Sequence, residues 1–493
     1  MAQLKWVVAA LSACFTVAAS LSPSSAPNVN YTELAQQLSS SASIYLPGSD
    51  AFDDVVSRWS NLSVPVANIV VVPGTKEDVV KIVTFANEHS VPFLAANGFH
   101  GSVTTLGKMT HGIEIYLSQL STVEIAQDGK TAKIGGGIRA KNLTDALTTE
   151  VTGACECVGY LGPGLGGGHG WLQGHHGLVS DQYLSFNIVL ANGSLTTIDE
   201  TSDLFWGLKG AGHNFGIVTS VTSKVYDVQY PNYAIETIFF SGDKVEEVYE
   251  LANELWITNG TSPEGVNNWS YWYFDPTIDP EKPVIVMYII QEGRDTVDPV
   301  HTAPFHQLGP IMSQPKSGTY RDLAAWTGIS LADGPCQKTG NANPRFPIYL
   351  KAYNPQSQKQ IYELFREATT SPGTPFAGSL FMFEGYAMQG VQALADDASA
   401  FAYRANNLLV APLLVYPPGE ALNAEARALG NRMRQVLFEG SGQATLNTYV
   451  NYAYGDETPA AWYGGDAWRQ ERLAALKKKY DPTGRFSFYA PIA

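Results

Sequence analysis

Two cysteines separated by one residue lie in a glycine-rich stretch and offer the first possible chemistry in the chain. Residues 153–170 read GACECVGYLGPGLGGGHG, which places Cys155 and Cys157 among eight glycines. Glycine lets a backbone approach a ligand closely and adopt positive φ without steric cost, whereas so many glycines weaken a helix or a strand. The stretch therefore predicts a loop wrapped around a flat or phosphorylated ligand, with a flexible surface loop as the alternative.

Three histidines near these cysteines raise the question of a metal site. His169, His175 and His176 match no common zinc spacing, and the cysteines form a CxC rather than a CxxC pair. We therefore predict no metal. A Cys–His hydrolase with Cys155 as its nucleophile stays open as an alternative, although no orienting acid is marked nearby in the sequence.

Further glycine turns lie at residues 98–101, 135–137 and 210–216, each beside a predicted strand. Their spacing fits neither the Rossmann fingerprint nor the P-loop pattern. Together with the turn at 162–170 they predict several loops that converge on one elongated ligand.

The elements around these turns divide the chain into parts of different character. From residue 65 the pattern reads strand, turn, helix, strand, with a strand at Ile69–Val72 and a helix capped by Thr75. Residues 229–440 combine aromatic strands with amphipathic helices, which suits a substrate-binding half. Residues 21–64 form a Ser-rich segment before the first part, and residues 441–493 form a tail.

Composition narrows the class of protein and its partners. The chain has 493 residues, of which 45% are hydrophobic, and a net charge of −15. Its length predicts two domains, and its acidic balance argues against nucleic acid as a partner. Lys5 followed by an apolar run to Ala19 predicts a secretory signal peptide over residues 1–20, and hence a secreted or secretory-pathway protein. No later segment is apolar enough to predict a membrane span.

If the protein is secreted, its sequons can be glycosylated and its cysteines lie in an oxidising compartment. Removal of the signal peptide leaves Cys155, Cys157 and Cys336, an odd number in an oxidising compartment. At least one of them must be free, paired between chains, or bonded to another group. The predicted N-glycosylation sites are Asn30, Asn61, Asn142, Asn192, Asn259 and Asn268.

Five segments of the chain resemble the berberine-bridge-enzyme-like FAD-linked oxidases of the vanillyl-alcohol-oxidase family, in particular fungal-type secreted members. The resemblance implies an α+β fold. Residues 65–228 would form a PCMH-type FAD-binding domain of two α/β subdomains, completed by the tail at 441–493. An antiparallel-sheet substrate domain with helices would lie between them, at 229–440. The segments are IVVVPGTKEDVVKIVTFANEHSVPFLAANGFHG, GACECVG…GLGGGHG, GLVSDQYLSFNIVLANG, FWGLKGAGHNFGIVTS and YVNYAYGD…LAALKKKYDPTGRF.

The resemblance also implies a bicovalently attached FAD. His100 matches the histidine that bonds the flavin 8α methyl group, and Cys155 matches the cysteine that bonds flavin C6. Two departures from the family pattern are Ala96 in place of an arginine, which removes a phosphate contact or moves it elsewhere, and Phe99 in place of a glycine. Cys157 would pair with Cys336 or would itself be the tether. The remaining cofactor-binding residues that the resemblance implies are Gly98, Gly101, Val158, Gly159, Gly166, Gly167, Gly168, His169, Gly216, Ile217 and Asn451.

Tyr452 matches the tyrosine that serves as catalytic base in this family, with Tyr449 as its rival. If the segment YVNY is extended, Tyr449 and Asn451 share one face and Tyr452 lies on the other. An ordinary tyrosine is a poor base at neutral pH, so Tyr452 needs a neighbouring cation, hydrogen bond or acid–base partner. Glu384 and Tyr386 are weaker candidates on the substrate side.

The implied reaction is hydride removal from an alcohol or an activated C–H bond of a small secondary-metabolite substrate. Val158 matches a position where valine admits O2, so the flavin would be reoxidised with release of H2O2, in some cases with oxidative cyclisation. The alternatives are a carbohydrate oxidase, whose aromatic platforms would include Trp256, Trp269, Trp272 and Trp326, and a non-catalytic flavin-binding protein. The protein would be a monomer or a dimer with a small molecule and O2 as its partners.

Overall fold

The computed structural model describes residues 29–147, 151–258 and 260–492. The predicted signal peptide and Asn259 therefore lie outside the described residues. Two halves of the chain face each other, and the candidate site lies between them. Within the described ranges, none of the helices combines the length and apolar character needed to cross a bilayer.

The first half contains a four-stranded sheet of order β1-β2-β4-β3 and an antiparallel five-stranded sheet of order β5-β6-β9-β7-β8. Strands β2, β3 and β4 run parallel, as the predicted βαβ pattern requires. The strands are β1 (Ser43–Tyr45), β2 (Ala67–Val72), β3 (Phe93–Ala96), β4 (Gly112–Tyr116), β5 (Val123–Ile125), β6 (Thr131–Gly135), β7 (Tyr183–Leu190), β8 (Leu195–Asp199) and β9 (Gly216–Lys224). The helices are α1 (Tyr31–Gln37), α2 (Asp50–Val56), α3 (Lys76–Glu88), α4 (Ala140–Ala146), α5 (Leu161–Leu165), α6 (Gln173–His176) and α7 (Asp203–Ala211).

Helix α3 shows how local sequence determines this half. Thr75 accepts a hydrogen bond from the backbone N–H of Asp78, and the Asp78 side chain accepts one from the N–H of Thr75, which forms a capping box. Val79, Ile82 and Val83 are fully buried on one side of the helix. They cover the parallel sheet, as their helical spacing predicts.

The boundary predicted at residue 65 is too late. Strand β1 pairs antiparallel with β2, and α1 packs against α3. The Ser-rich N-terminal segment is therefore part of the first half rather than a separate leader to it. A three-residue strand such as β1 carries too weak an alternation to be predicted from sequence alone.

The second half is built on one antiparallel seven-stranded sheet of order β13-β10-β12-β11-β15-β16-β14. Its strands are β10 (Tyr233–Phe240), β11 (Val266–Tyr273), β12 (Val284–Glu292), β13 (Met312–Gly318), β14 (Ile348–Leu350), β15 (Leu380–Gly385) and β16 (Leu408–Leu413). Its helices are α8 (Val245–Trp256), α9 (Pro299–Gln307), α10 (Leu323–Trp326), α11 (Pro355–Thr370), α12 (Gln389–Gln392) and α13 (Glu420–Ser441).

Alternation along β11 divides the aromatic residues of this sheet between two environments. Trp272 packs with α8 and α11 in the core on one face, whereas Trp269 and Tyr271 lie in the core between the sheet and the first half. Residues two positions apart on a strand share a face. The second face of the sheet is thus an aromatic wall directed at the first half.

The tail returns to the first half through α14 (Pro459–Tyr463) and α15 (Ala467–Tyr480). The Lys477 ammonium donates to the backbone carbonyls of Asn214 and Phe486, and it pairs with Asp481. These contacts attach the tail beside β9, so the last residues of the chain can contribute to the same site as the first strands.

A buried ion pair joins the halves. The Arg404 guanidinium in the second half donates to both oxygens of Asp181 in the first half, at 2.8 and 2.9 Å, and both side chains are buried. Removing one partner leaves an uncompensated buried charge, which is far more costly than losing an exposed pair.

We expect Asp181→Ala to lower the free energy of unfolding by about 3–5 kcal/mol, because the Arg404 charge loses its partner. Asp145→Ala is the matched control, since Asp145 forms an exposed pair with Lys141 that contributes less than about 1 kcal/mol. Urea unfolding measured by far-UV circular dichroism checks the comparison. Equal shifts of the two midpoints would contradict an inter-half role for this pair.

Candidate active site

An elongated cavity of about 590 Å³ lies between the two halves. Each of the four predicted glycine turns contributes to its wall, through Gly98 and Gly101, Gly136, Gly162 and Gly216. Cys155, Val158, Gly159, Ile217 and Asn451 also line it, as the resemblance implies. The convergence predicted from the sequence is therefore present in the structure.

Gly166, Gly167 and Gly168 are not among the residues that line this cavity, and their predicted part in cofactor binding stays a prediction. A side chain at Gly166 would collide with Asn451, one at Gly167 with Phe401, and one at Gly168 with Val179. Gly167 and Gly168 also have φ of 106° and 83°. These three glycines let the loop pack closely against its neighbours.

His100 and Cys155 lie at the same end of the cavity. One ring nitrogen of His100 and the sulfurs of Cys155 and Cys157 all lie within 4.8 Å of one another. The His100 ring stacks on Trp59 at 4.3 Å, and its Nε2 lies 2.8 Å from the carbonyl oxygen of Pro335. Because a carbonyl only accepts, Nε2 carries the proton and Nδ1 keeps its lone pair. Burial, aided by the charge of Arg345, lowers the pKa of His100 to about 3, so the ring is neutral.

The cysteines divide between two roles. Cys157 forms a disulfide with Cys336, while Cys155 is the free cysteine of the described chain. Burial raises the pKa of the Cys155 thiol to about 11. The disulfide removes Cys157 as a flavin tether and as a metal ligand, so the cluster offers too few donors for the usual four-coordinate zinc site.

Phe99 has an unusual backbone conformation at the position where the family pattern has a glycine. Its φ is 54°, in the left-handed region that bulky residues rarely adopt. Its ring is buried, contacts Tyr116 edge to face, and lies beneath the guanidinium of Arg58, which pairs with Glu114. The packing around Phe99 holds this conformation and thereby determines where the adjacent His100 points.

The predicted extended conformation of YVNY is wrong, because Val450–Tyr452 form a turn of 3₁₀ helix. Residues three apart eclipse each other in such a turn, so Tyr449 and Tyr452 lie side by side, with ring centroids 5.1 Å apart. Both line the cavity together with Asn451. The assignment of a base between the two tyrosines therefore rests on their hydrogen bonds rather than on which face they occupy.

Tyr452 has the acid–base partner that the sequence left unassigned. Its hydroxyl donates to Oε1 of Glu384 at 2.8 Å, and the hydroxyl of Tyr386 donates to Oε2 at 2.8 Å. Burial raises the pKa of Glu384, and it raises the pKa of Tyr452 well above its usual range. Both oxygens of Glu384 accept a hydrogen bond from a phenol hydroxyl, so Glu384 is the proton acceptor of the pair and can receive a proton relayed through Tyr452.

His169 is a wall residue with both ring nitrogens engaged. Nδ1 lies 2.8 Å from Gln173 Oε1, Nε2 lies 2.8 Å from the Tyr349 hydroxyl, and the ring stacks on Tyr386. Burial lowers the pKa of His169 to about 4. It therefore contributes a neutral ring to the cavity, and its nitrogens are not available to a metal or a cofactor.

The sequons differ in accessibility. The side chains of Asn30, Asn61, Asn142 and Asn192 are exposed, as a glycan requires. Asn268 lies on β11, is only 2% exposed, and directs its amide at the sulfur of Met287. The prediction of a glycan on Asn268 is wrong, because a folded sheet interior has no room for it.

The fold and the cavity together describe a protein of two halves with a candidate ligand site between them. The family model described as "FAD binding domain" matches residues 67–199, and the one described as "Berberine and berberine like" matches residues 448–493. The chain is 57% identical over 471 residues to the FAD-linked oxidoreductase chyH of Penicillium rubens, and 94% of each chain is covered.

Solved structures of distant sequence share the fold. BBE-like 1 of Physcomitrella patens has a TM-score of 0.78 at 20% identity, with 94% of this chain and 100% of that chain covered. Glucooligosaccharide oxidase from Acremonium strictum, described with a 6-S-cysteinyl, 8α-N1-histidyl FAD, has a TM-score of 0.78 at 18% identity, with 93% and 98% covered. The chain belongs to the berberine-bridge-enzyme-like family of FAD-linked oxidoreductases, and the predicted family, fold class and enzyme class are confirmed.

The residues of the cavity suit an FAD molecule. Among the wall residues that carry a buried polar atom without a hydrogen-bond partner are Asn97 and Asn451, each through Oδ1, and His213 through Nδ1. Buried polar atoms are normally paired, so these three are available to the polar atoms of a bound cofactor.

Arg485 supplies a cation at the end of the cavity formed by β3. Its guanidinium lies over Phe93, donates to the carbonyl of Val91 at 2.7 Å, and keeps Nε unpaired. It lines the cavity together with Ala96, the position where the family has an arginine. Arg485 can therefore provide the phosphate contact that Ala96 lacks.

The sequence did not identify Arg485, Arg345 or Trp59 as site residues. Arg485 stands in the segment DPTGRF that carried part of the resemblance, so the signal was present but its side chain was not singled out. Arg345 and Trp59 lie in irregular segments with no motif around them.

Proposed function

We propose that this protein is an FAD-dependent oxidase that removes a hydride from an alcohol or an activated C–H bond of a small secondary-metabolite substrate and releases H2O2. Bound FAD would supply the hydride acceptor and the reaction with O2. The observation that carries the proposal is the hydrogen bond from Tyr452 to Glu384 on the wall of the cavity.

The hydrogen bond gives the proton a path. Because Tyr452 donates its own proton to Glu384, its oxygen keeps lone pairs for a substrate hydroxyl. The substrate proton passes to Tyr452 as the Tyr452 proton passes to Glu384. No free phenolate is needed, which removes the difficulty of the raised tyrosine pKa. Tyr386 holds the second oxygen of Glu384 and so orients the carboxylate.

We propose that His100 and Cys155 attach the cofactor covalently. Nδ1 of His100 is a neutral, unprotonated nitrogen, and the sulfur of Cys155 is within reach of the same ring edge. Flavin position 6 and the 8α methyl group belong to one ring, so two tethers must lie close together. The Acremonium oxidase supports this proposal through the attachment stated for its own FAD.

The residues that line the cavity favour a small metabolite over an oligosaccharide as the substrate. Of the four tryptophans considered as sugar platforms, only Trp269 lines the cavity. Trp256 and Trp272 are buried in the core on the other face of the sheet. Val158 also lines the cavity, and we propose that its small side chain leaves space for O2.

We further propose a secretory location, with a molecule that is a monomer or a dimer. The disulfide between Cys157 and Cys336 suits an oxidising compartment. The four exposed sequons suit glycosylation in the same compartment.

Tyr452→Phe should lower kcat/KM for hydrogen peroxide release by about 10²–10⁴-fold, the range of a lost general base. The measurement is peroxide release across a panel of alcohols, sugars and phenols. Tyr449→Phe is the matched control, because Tyr449 lies beside Tyr452 without donating to Glu384. A larger loss in Tyr449→Phe would make Tyr449 the base, and peroxide release from sugars alone would favour the carbohydrate oxidase.

The rate of the proton transfer should fall at acid pH, because Glu384 is an acceptor only when it is deprotonated. Burial raises the pKa of Glu384, so the loss begins at a higher pH than for an exposed glutamate. Glu384→Gln should lower the rate and abolish this acid limb in a pH profile of kcat/KM. An unchanged acid limb in Glu384→Gln would assign the limb to another group.

Cys155→Ala should abolish the C6 attachment, which mass spectrometry of the flavin peptide measures directly. The control is the double variant Cys157→Ala/Cys336→Ala, which keeps Cys155 and should retain the attachment, at a lower yield because the disulfide that positions the loop is lost. The single variant Cys157→Ala is a poor control, because the freed Cys336 sulfur lies 3.8 Å from that of Cys155 and can pair with it. A C6 attachment that persists in Cys155→Ala would make Cys157 the tether.

A further inference from the structure

Arg345 differs from the other deeply buried arginines of the described chain. It is 6% exposed, and its Nε is buried without a hydrogen-bond partner, as are those of Arg58, Arg404 and Arg469. Within the described ranges no carboxylate or carbonyl oxygen accepts a hydrogen bond from its guanidinium. The other deeply buried arginines have such acceptors: Arg58 pairs with Glu114, Arg404 with Asp181, Arg434 with Glu457, and Arg469 with the carbonyls of Asp396 and Ser399.

Two aromatic rings lie against this guanidinium, and no hydrogen-bond acceptor for its N–H groups is found among the described residues. Its central carbon lies 4.3 Å from the ring centroid of Trp59 and 4.4 Å from that of Tyr452. The N–H bonds of a guanidinium lie in its plane, so rings stacked on its faces cannot accept them. Arg345 lines the cavity, and acceptors for its N–H groups must come from the contents of the cavity.

In the part of the chain that the structure describes, no carboxylate forms an ion pair with Arg345. Glu384 is the nearby carboxylate that influences this region, and its two oxygens are engaged by Tyr386 and Tyr452. A buried cation without a paired anion is costly. An anionic ligand would remove that cost and gain a bidentate, charge-assisted hydrogen bond.

The cofactor is a poor source of this anion. Trp59 contacts both His100 and Arg345, which places Arg345 beside the proposed tether end. A flavin carries methyl groups and ring carbons on the ring that bears positions 6 and 8α, and its carbonyl oxygens on the opposite ring. The acceptor for Arg345 therefore belongs to the substrate.

We propose that Arg345 binds a carboxylate of the substrate and that the enzyme acts on flat, aromatic carboxylic acids. The inference deepens the proposed function, since the reacting group of the bound acid would face the hydroxyl of Tyr452. The cavity wall beyond Arg345 is aromatic, with Trp269, Tyr271, Tyr288 and Tyr386 on the inner face of the second sheet. A planar ring packs against such a wall while its carboxylate engages the guanidinium.

The test compares acids with their neutral amides as ligands of the flavin-loaded protein. Acetate, benzoate and 2-naphthoate are each titrated against the corresponding amide at constant ionic strength, and binding is followed by the visible absorbance of the flavin. We expect at least one acid to bind about tenfold or more tightly than its amide, since charge-assisted hydrogen bonds are roughly twice as strong as neutral ones. No preference in any of the three pairs would overturn the proposal.

Variants assign the preference to Arg345. Arg345→Gln should reduce the acid-to-amide ratio to about one, whereas Lys338→Gln should leave it unchanged. Lys338 is the control because it is an exposed cation over Phe99 that does not line the cavity. If Arg345→Gln does not fold, Arg345→Lys must show a reduced preference, because an ammonium lacks the bidentate fork. A preference retained in the variant that folds would overturn the assignment.

The readout separates this site from the proposed oxidase activity. Ligand binding does not require turnover, so an acid preference without peroxide release would leave the anion site standing while the oxidase function failed. Peroxide release from neutral substrates, together with no preference for acids over amides, would support the oxidase function and overturn the anion site.

Discussion

The disulfide between Cys157 and Cys336 is the constraint on which the geometry of the site depends. It joins the loop at residues 153–159 in the first half to the segment at 334–336 in the second half, across a sequence separation of 179. In the chain-entropy model a loop of this length contributes about 5 kcal/mol by restricting the unfolded chain. The same segment carries the Pro335 carbonyl that fixes the tautomer of His100. One covalent bond thus positions both residues proposed to hold the flavin.

Two buried charges of opposite sign lie in the cavity without a direct ion pair between them, although the charge of Arg345 opposes the rise in the pKa of Glu384 that burial causes. Glu384 is stabilised by two phenol hydroxyls, whereas Arg345 is held between two rings. Direct pairing of the two would lower the basicity of the carboxylate and occupy the guanidinium. Their separation leaves Glu384 free to accept a proton and Arg345 free to bind an anion. The charge of Arg345 also contributes to the lowered pKa of His100.

The sequence predicted the parts of the site that local patterns encode and missed those that tertiary packing creates. Glycine turns beside strands predicted the convergence on one cavity, because turn chemistry is local. The conformation of Tyr449–Tyr452 was wrong because a single 3₁₀ turn leaves no periodic pattern. The Tyr452–Glu384 pair joins the tail to strand β15, and no local rule connects two such distant segments. Asn268 failed as a glycan site for the same reason, since burial on β11 is a property of the whole sheet.

Departures from the family pattern become intelligible once the fold brings distant residues together. Ala96 lacks the arginine expected at the end of β3, yet Arg485 reaches the same end of the cavity from the tail. Phe99 stands where the family pattern has a glycine and adopts a left-handed backbone, with Arg58 and Tyr116 packed on its ring. In both cases, side chains that are distant in sequence supply the charge or the packing that the substituted position requires. The cofactor site is therefore better described by the charges and backbone shapes that it requires than by the residues at fixed motif positions.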